Sequence, residues 1–247
     1  MEQTKEKELI GKEVSAAKEA LKSQTDYSKK EELFNIISHA VGTVLASVGT
    51  TIMLIRVLAG AHRGDYASSR LAILSIYLYG IALISLFLMS TLYHSQKTGS
   101  KRREVFRRLD HCLIAVIIAA SYAPYMLIGM LQSDNSSDWI WSIIIASVVL
   151  NMAVVVVVLK AINPKKFKLF CLIAFIVMGW ASVVRIHRVF IVISPGAFWF
   201  LLGGGIAYTI GVIFFRWKSL KFNHVIWHIF VLIGAALHFA SVNFFIL

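Results

Sequence analysis

The chain has 247 residues, 58% of them hydrophobic and only 15% charged, with a mean hydropathy of +0.73. Soluble domains run about 45–50% apolar and about 25% charged, so the composition argues against a water-soluble enzyme. The formal charge of +12 is uneven: residues 1–32 hold seven Lys and eight acids, whereas the other 215 hold 18 basic and five acidic groups. An apolar region cleared of acids but keeping clustered basic residues suits a multi-pass protein of the cell membrane, and speaks against a nucleic-acid partner.

Residues 1–32 form a polar N-terminal segment with no evident chemistry and no cleavable signal, since Glu, Lys and Gln stand where a basic stretch and an apolar core would begin. Ile10, Val14, Ala17 and Leu21 recur at helical spacing, so an amphipathic helix and a solvated tail are both open. Residues 33–247 form the membrane domain. Apolar runs able to cross ~30 Å of hydrocarbon predict seven helices, at about 35–58, 71–93, 110–131, 139–159, 168–185, 197–215 and 224–246. The runs are continuous rather than alternating, which disfavours a barrel. The fold class is therefore an all-α integral membrane bundle of seven helices. The stretch 186–196, with His187, Arg188 and Pro195, reads as an external interfacial segment. Gly203, Gly204, Gly205 and Gly211 offer small surfaces for close helix contact. Cys112 and Cys171 lie far apart without a metal-type spacing, and no disulfide is expected. Asn135-Ser136-Ser137 matches a glycosylation sequon.

Loop charges orient the bundle. The second, fourth and sixth connections carry 13 basic residues: Lys97, Lys101, Arg102, Arg103, Arg107, Arg108; Lys160, Lys165, Lys166, Lys168; and Arg216, Lys218, Lys221. The odd connections carry five: Arg56, Arg63, Arg70, Arg185 and Arg188. The positive-inside rule then predicts a cytosolic N-terminus and an external C-terminus.

On that topology the costly polar residues fall at one depth, near the inner leaflet. His39 opens the first span, Ser90 and His94 close the second, Asp110 and His111 open the third, and His224 and His228 open the seventh. Ionisable groups inside a membrane are functional candidates by default. His224 and His228 share a helix face at i, i+4, and His94 would add a third imidazole from another helix. Three protein ligands with an open fourth position is the pattern of catalytic zinc. Asp110, the one acid inside a predicted span, could bind the metal, hold its water or act as a general base, or it could be a counter-ion to Arg107 or Arg108. Ser90 could brace a ligand or bond its own helix carbonyl. A Ser-His-Asp hydrolase triad leaves His224 and His228 without a role. A lone interfacial histidine is usually structural, which is the reading for His62 and His187 on the outer side. His238, ten residues beyond His228, lies ~15 Å deeper and is too far to share an ion with it.

The stretches E-E-L-F-N-I-I-S-H-A-V-G from Glu31, S-T-L-Y-H-S from Ser90, R-R-L-D-H-C from Arg107, G-G-G-I-A-Y-T-I-G from Gly203 and H-V-I-W-H-I-F-V-L-I-G-A-A-L-H from His224 carry a resemblance. In their joint order and spacing the chain resembles the hemolysin III family, the bacterial branch of the progestin and adipoQ receptor superfamily, over about residues 31–247. The resemblance implies seven helices, a cytosolic N-terminus and an inner-side zinc site. Its Ser-x-x-x-His, Asp and His-x-x-x-His elements map to Ser90, His94, Asp110, His224 and His228, with the three histidines as direct ligands. The related animal receptors resemble ceramidases, which implies zinc-dependent hydrolysis of a lipid amide or ester. The family name points instead to haemolysis.

Three functions follow as expectations. The first is an intramembrane zinc hydrolase with a lipid substrate, in which His94, His224 and His228 bind zinc and Asp110 and Ser90 serve catalysis. The second is a cytolytic, pore-forming or membrane-homeostasis protein with structural zinc, whose partners are membrane lipids. The third, an ion transporter or receptor, is disfavoured because the polar groups sit at one end rather than along a path.

Overall fold

The computed structural model describes residues 27–60, 66–163 and 166–247. The amphipathic pattern at 10–21, His62 and Lys165 lie outside them. Among the described residues eight α-helices follow in order: α1 (Lys29–Leu58), α2 (Tyr66–Ser95), α3 (Lys101–Pro124), α4 (Ser136–Ile162), α5 (Lys168–Gly179), α6 (Ile186–Val192), α7 (Pro195–Arg216) and α8 (Asn223–Ser241). They contain seven spans long and apolar enough to cross a membrane, and no strand occurs among the described residues. This is a multi-pass membrane protein.

Two helix starts reach beyond the hydropathy limits because capping groups define them. Ser28 caps α1 by accepting from the Glu31 N–H (3.2 Å), while the Glu31 carboxylate accepts from the Ser28 N–H (2.8 Å). This reciprocal box starts the helix six residues before its apolar run. Ser100 caps α3 through the Arg103 N–H at 3.1 Å, so the basic stretch before Asp110 is helical too. Asn135 caps α4 through the Ser137 N–H at 3.0 Å, which gives the sequon asparagine a structural role.

The faces of α1 sort as lipid requires. Asn35, His39, Gly42, Ala46, Thr50 and Met53 are buried against the bundle, whereas Val44, Leu45, Val48 and Ile55 are exposed. Since lipid is as apolar as leucine, association rests on close packing and buried polar contacts rather than on hydrophobicity. Several contacts are tight enough to require glycine. A Cβ on Gly80 would come within 2.2 Å of Thr50, and one on Gly204 within 2.2 Å of the His238 ring. Gly204 and Gly211 face α8, where a Cβ on Gly211 would strike Phe230 and Trp227 at 2.8 Å. Gly203 has Leu237 of α8 at 3.6 Å and Gly205 has Trp180 at 3.6 Å, so the closest α7–α8 approach rests on Gly204 and Gly211.

The fifth span extends to Val192 rather than ending near 185, and it is broken. After Gly179 the chain passes through a 3₁₀ stretch, Ala181–Arg185, into α6, so most of 186–196 is a helical continuation instead of a separate interfacial segment. The break survives because its freed carbonyls are satisfied: the Tyr122 hydroxyl donates to Met178 O (2.7 Å) and lies 3.3 Å from Gly179 O. Trp180 Nε1 donates to Thr209 Oγ1 at 3.0 Å. The third span continues past Pro124 through a π-helical turn, Tyr125–Gly129.

Helices α7, α8, α1, α2, α3 and α4 pack in that neighbouring order, and α5–α6 touches α3, α4 and α7 only sparsely. Behind that loose side lies an interior cavity of about 1510 Å³. It runs from Arg107 and Lys218 at one end of the bundle to Ile193 and Phe198 toward the other.

Candidate metal centre

The start of α8 is held in place from two sides. Phe222 adopts a left-handed backbone (φ 59°), a conformation that costs a side-chain-bearing residue about 1–2 kcal/mol. Its N–H donates to the Glu31 carboxylate at 3.0 Å, tying this turn to the start of α1. The Asn223 amide donates to the carbonyls of Phe214 (3.3 Å) and Phe215 (3.2 Å) at the end of α7. The next residue, His224, then faces the bundle interior with His228 one turn below.

His94, from the end of α2, meets both. His224 Nε2 lies 3.3 Å from His94 Nε2 and 3.0 Å from His228 Nε2, and the three ligand atoms all fall within 4.8 Å of one another. His94 and His228 are 2% exposed; His224 is half-buried with its Nδ1 enclosed.

Hydrogen bonds behind the rings orient two of them. His94 Nδ1 lies 2.6 Å from Glu32 Oε2, and an ionised carboxylate only accepts, so Nδ1 carries the proton and Nε2 turns a lone pair inward. Ser38 donates its hydroxyl proton to Asn35 O (3.0 Å) and therefore accepts from His228 Nδ1–H at 3.3 Å, leaving that Nε2 as an inward lone pair as well. His224 has one Nε2 proton at most for two confronting acceptors. A cation among them resolves the conflict. With metal–nitrogen bonds of ~2.0–2.1 Å a tetrahedral site has N···N edges of ~3.3 Å, close to the separations here. The three buried histidines could thus hold a metal ion, and a carboxylate or hydroxyl behind a ligand imidazole is the usual outer support of such sites.

Glu32 is itself fixed by an ion pair with Arg103, which also donates to Gln96 O at 2.9 Å. Tyr27 stacks on His224, with ring centroids 4.8 Å apart. His39 stacks on His228 at 3.6 Å and meets Phe87 edge-on; both its nitrogens are buried without a partner.

Asp110 lies outside the three-nitrogen cluster. It lines the cavity with Ser90, His224 and His228, and the Ser90 hydroxyl faces it without forming a well-aligned hydrogen bond. Ser90 therefore does not spend its proton on its own helix. Arg107 and Arg108 turn to Glu104, so the counter-ion alternative for Asp110 finds no support. His111 Nδ1 donates to Arg107 O at 2.6 Å and lies 3.8 Å from Asp110. His238 is remote from the cluster, 3.3 Å from Leu201 O and edge-on to Tyr208. His187 is exposed.

Sequence reasoning missed Glu32, Ser38 and Asn35 as supports. Glu32 belongs to the segment that composition reads as a chemistry-free tail. The available signal was periodicity: Glu32, Asn35 and Ser38–His39 recur every three to four residues, a polar stripe entering an otherwise apolar helix.

A seven-helix membrane bundle with three buried imidazoles converging at one end is the class that fold and site define. The chain belongs to the haemolysin-III related family, which matches residues 27–239. It is 33% identical over 218 residues to Hemolysin-3 of Bacillus cereus, covering 88% of this chain and 93% of that protein. The Hemolysin-3 homolog of Bacillus subtilis (strain 168) is 34% identical over 219 residues, 89% of this chain and 96% of its own. The human Monocyte to macrophage differentiation factor is 27% identical over 221 residues, 86% and 83% of the two chains. No solved structure matches.

Proposed function

We propose that the protein is a zinc-dependent hydrolase of a lipid amide or ester, with His94, His224 and His228 as the zinc ligands. The observation that carries this reading is the convergence of three Nε2 atoms on a large interior cavity, beside the Asp110 carboxylate and the Ser90 hydroxyl, which stand outside the cluster and line the same cavity. Zinc held there would supply Lewis acidity, polarising a carbonyl and bringing the pKa of water toward ~7. Asp110 takes a proton from a water in the cavity, and Ser90, whose hydroxyl faces that carboxylate, orients it. Glu32 and Ser38 keep two ligands in the tautomer that presents Nε2. The apolar stretch of the cavity, including Ile117, Leu172, Phe175 and Val231, takes the lipid chain. Its volume exceeds the ~300–1,000 Å³ of ordinary small-molecule sites. The loop charge asymmetry supports a cytosolic N-terminus, with the centre on the inner side.

The test is turnover of a ceramide and phospholipid panel by zinc-loaded protein in detergent, beside Asp110→Asn. The expected result is hydrolysis by the wild type, largely lost in a variant that keeps its zinc. Binding without turnover across the panel would remove the catalytic reading. The names of the two Bacillus relatives favour a second reading, a cytolytic protein with structural zinc. Dye release from liposomes that persists in a folded His228→Ala variant would select it.

A further inference from the structure

The cavity's mouth gathers cations more closely than membrane orientation alone requires. Six cationic side chains line the cavity: Arg107, Lys160, Lys168, Arg216, Lys218 and Lys221. Only two acids join them, Glu31 and Asp110. Glu31 holds Ser28 and Phe222, while Asp110 faces Ser90. Lys168, Arg216, Lys218 and Lys221 are exposed, and among the described residues no carboxylate pairs with any of them. They crowd one another as well: local desolvation of its ammonium group, with Lys168 and Arg216 nearby, pulls Lys218 below its ordinary range although the residue as a whole reaches solvent. The Arg107 Nε, on the same lining, is buried without a partner. The positive-inside rule asks only for basic residues near the membrane, and cations facing water satisfy it equally. Four cations without a carboxylate partner, gathered at the mouth of the cavity that His224 and His228 also line, favour an anion between them. Basic pockets between membrane helices are known receivers of phosphate headgroups.

We propose that this mouth binds the phosphate of an anionic lipid, so that the lipid class taken up by the cavity is phosphate-bearing rather than neutral ceramide. The inference rests on the reading of the cavity as a lipid site, and adds the headgroup. The phosphate sits among Arg216, Lys218 and Lys221 at the α7–α8 turn and Lys168 at the start of α5. The acyl chains follow the apolar lining inward, which brings the ester linkages past the histidines. Charge-assisted contacts to an ionised phosphate are stronger than neutral ones, and a partly enclosed site is screened less by salt than an open surface.

The experiment measures binding rather than turnover. Full-length protein in neutral detergent is titrated with phosphatidylglycerol, with diacylglycerol of the same chains, and with glycerol 3-phosphate, and read by native mass spectrometry and thermal shift. Phosphatidylglycerol should bind at least about tenfold more tightly than either half-molecule. That preference should vanish in Lys168→Gln/Arg216→Gln/Lys218→Gln/Lys221→Gln and weaken in the single Lys218→Gln, which keeps the test intact if the quadruple variant fails to fold. Lys101→Gln/Arg102→Gln, which removes exposed cations off the cavity, should bind as the wild type does. Equal binding of diacylglycerol, or of glycerol 3-phosphate alone, would overturn the proposal. An equal loss in the Lys101/Arg102 variant would overturn it too, by reducing the effect to general surface attraction. Mouth-dependent binding without hydrolysis of any lipid would sink the hydrolase and leave this inference standing. Hydrolysis of neutral ceramide with no preference for phosphatidylglycerol would do the reverse.

Discussion

The two ends of the bundle both bury charged or polar groups, yet they treat them in opposite ways. Away from the histidines, Asp138 is fully buried at the start of α4 and every lone pair it offers is used. Its Oδ1 accepts from Arg188 Nε (3.0 Å) and Arg185 Nη2 (3.4 Å), and its Oδ2 from Ser133 Oγ (2.7 Å) and Arg188 Nη2 (2.5 Å). At the histidine end Ser90 Oγ, both His39 nitrogens and His224 Nδ1 are buried without partners, and two imidazole lone pairs confront a third ring. The Asp138 carboxylate is saturated, with Arg185 Nε the one buried atom of that knot left unmet, and an unmet buried polar atom costs roughly 1–3 kcal/mol. A concentration of unmet atoms at one point of a cavity marks a place where something else completes the set.

That contrast can be tested at both poles. The largest effect belongs to His228→Ala. Elemental mass spectrometry of the folded variant should show essentially no zinc, against about one per chain in wild type; a variant that keeps its metal would mean that the imidazoles merely pack. Asp110→Asn comes next: zinc content should hold while lipid hydrolysis falls by ~10²–10⁴, the range for loss of a general base. Equal activity of this variant would leave the carboxylate a bystander. Glu32→Gln weakens the support behind His94 without touching a ligand. Competition with a chelator should show zinc affinity reduced by about 10–100-fold, as outer-shell changes do elsewhere. The smallest functional effect is expected at the saturated pole. Asp138→Asn should leave zinc and turnover at wild-type levels while lowering the melting temperature by about 5 °C. Loss of metal there would collapse the distinction between the two ends.

Much of this molecule was legible along the chain. Each of the seven spans announces itself by a continuous apolar run, and the Ser90–His94 and His224–His228 spacings put each pair on one helix face without reference to any neighbour. The limits of the spans were less legible where capping outranks hydropathy, as at Ser28 and Ser100. The fifth span was misread past Gly179 because its break depends on Tyr122, a residue 56 positions away from the carbonyl at Met178 that it satisfies.

The sequence by itself determined what local chemistry can determine: a seven-helix membrane bundle, its charge asymmetry, and three histidines with an aspartate at one depth. Those are properties of hydropathy and helical period, which a segment carries alone. Only the tertiary structure decided which atoms meet. Glu32 reaches His94 across 62 residues, and Ser38 reaches His228 across 190, because α1 packs between α2 and α8. Ring tautomer, lone-pair direction and the division between a saturated knot and an open centre are set by partners on other helices, and the chain brings those together only when it packs.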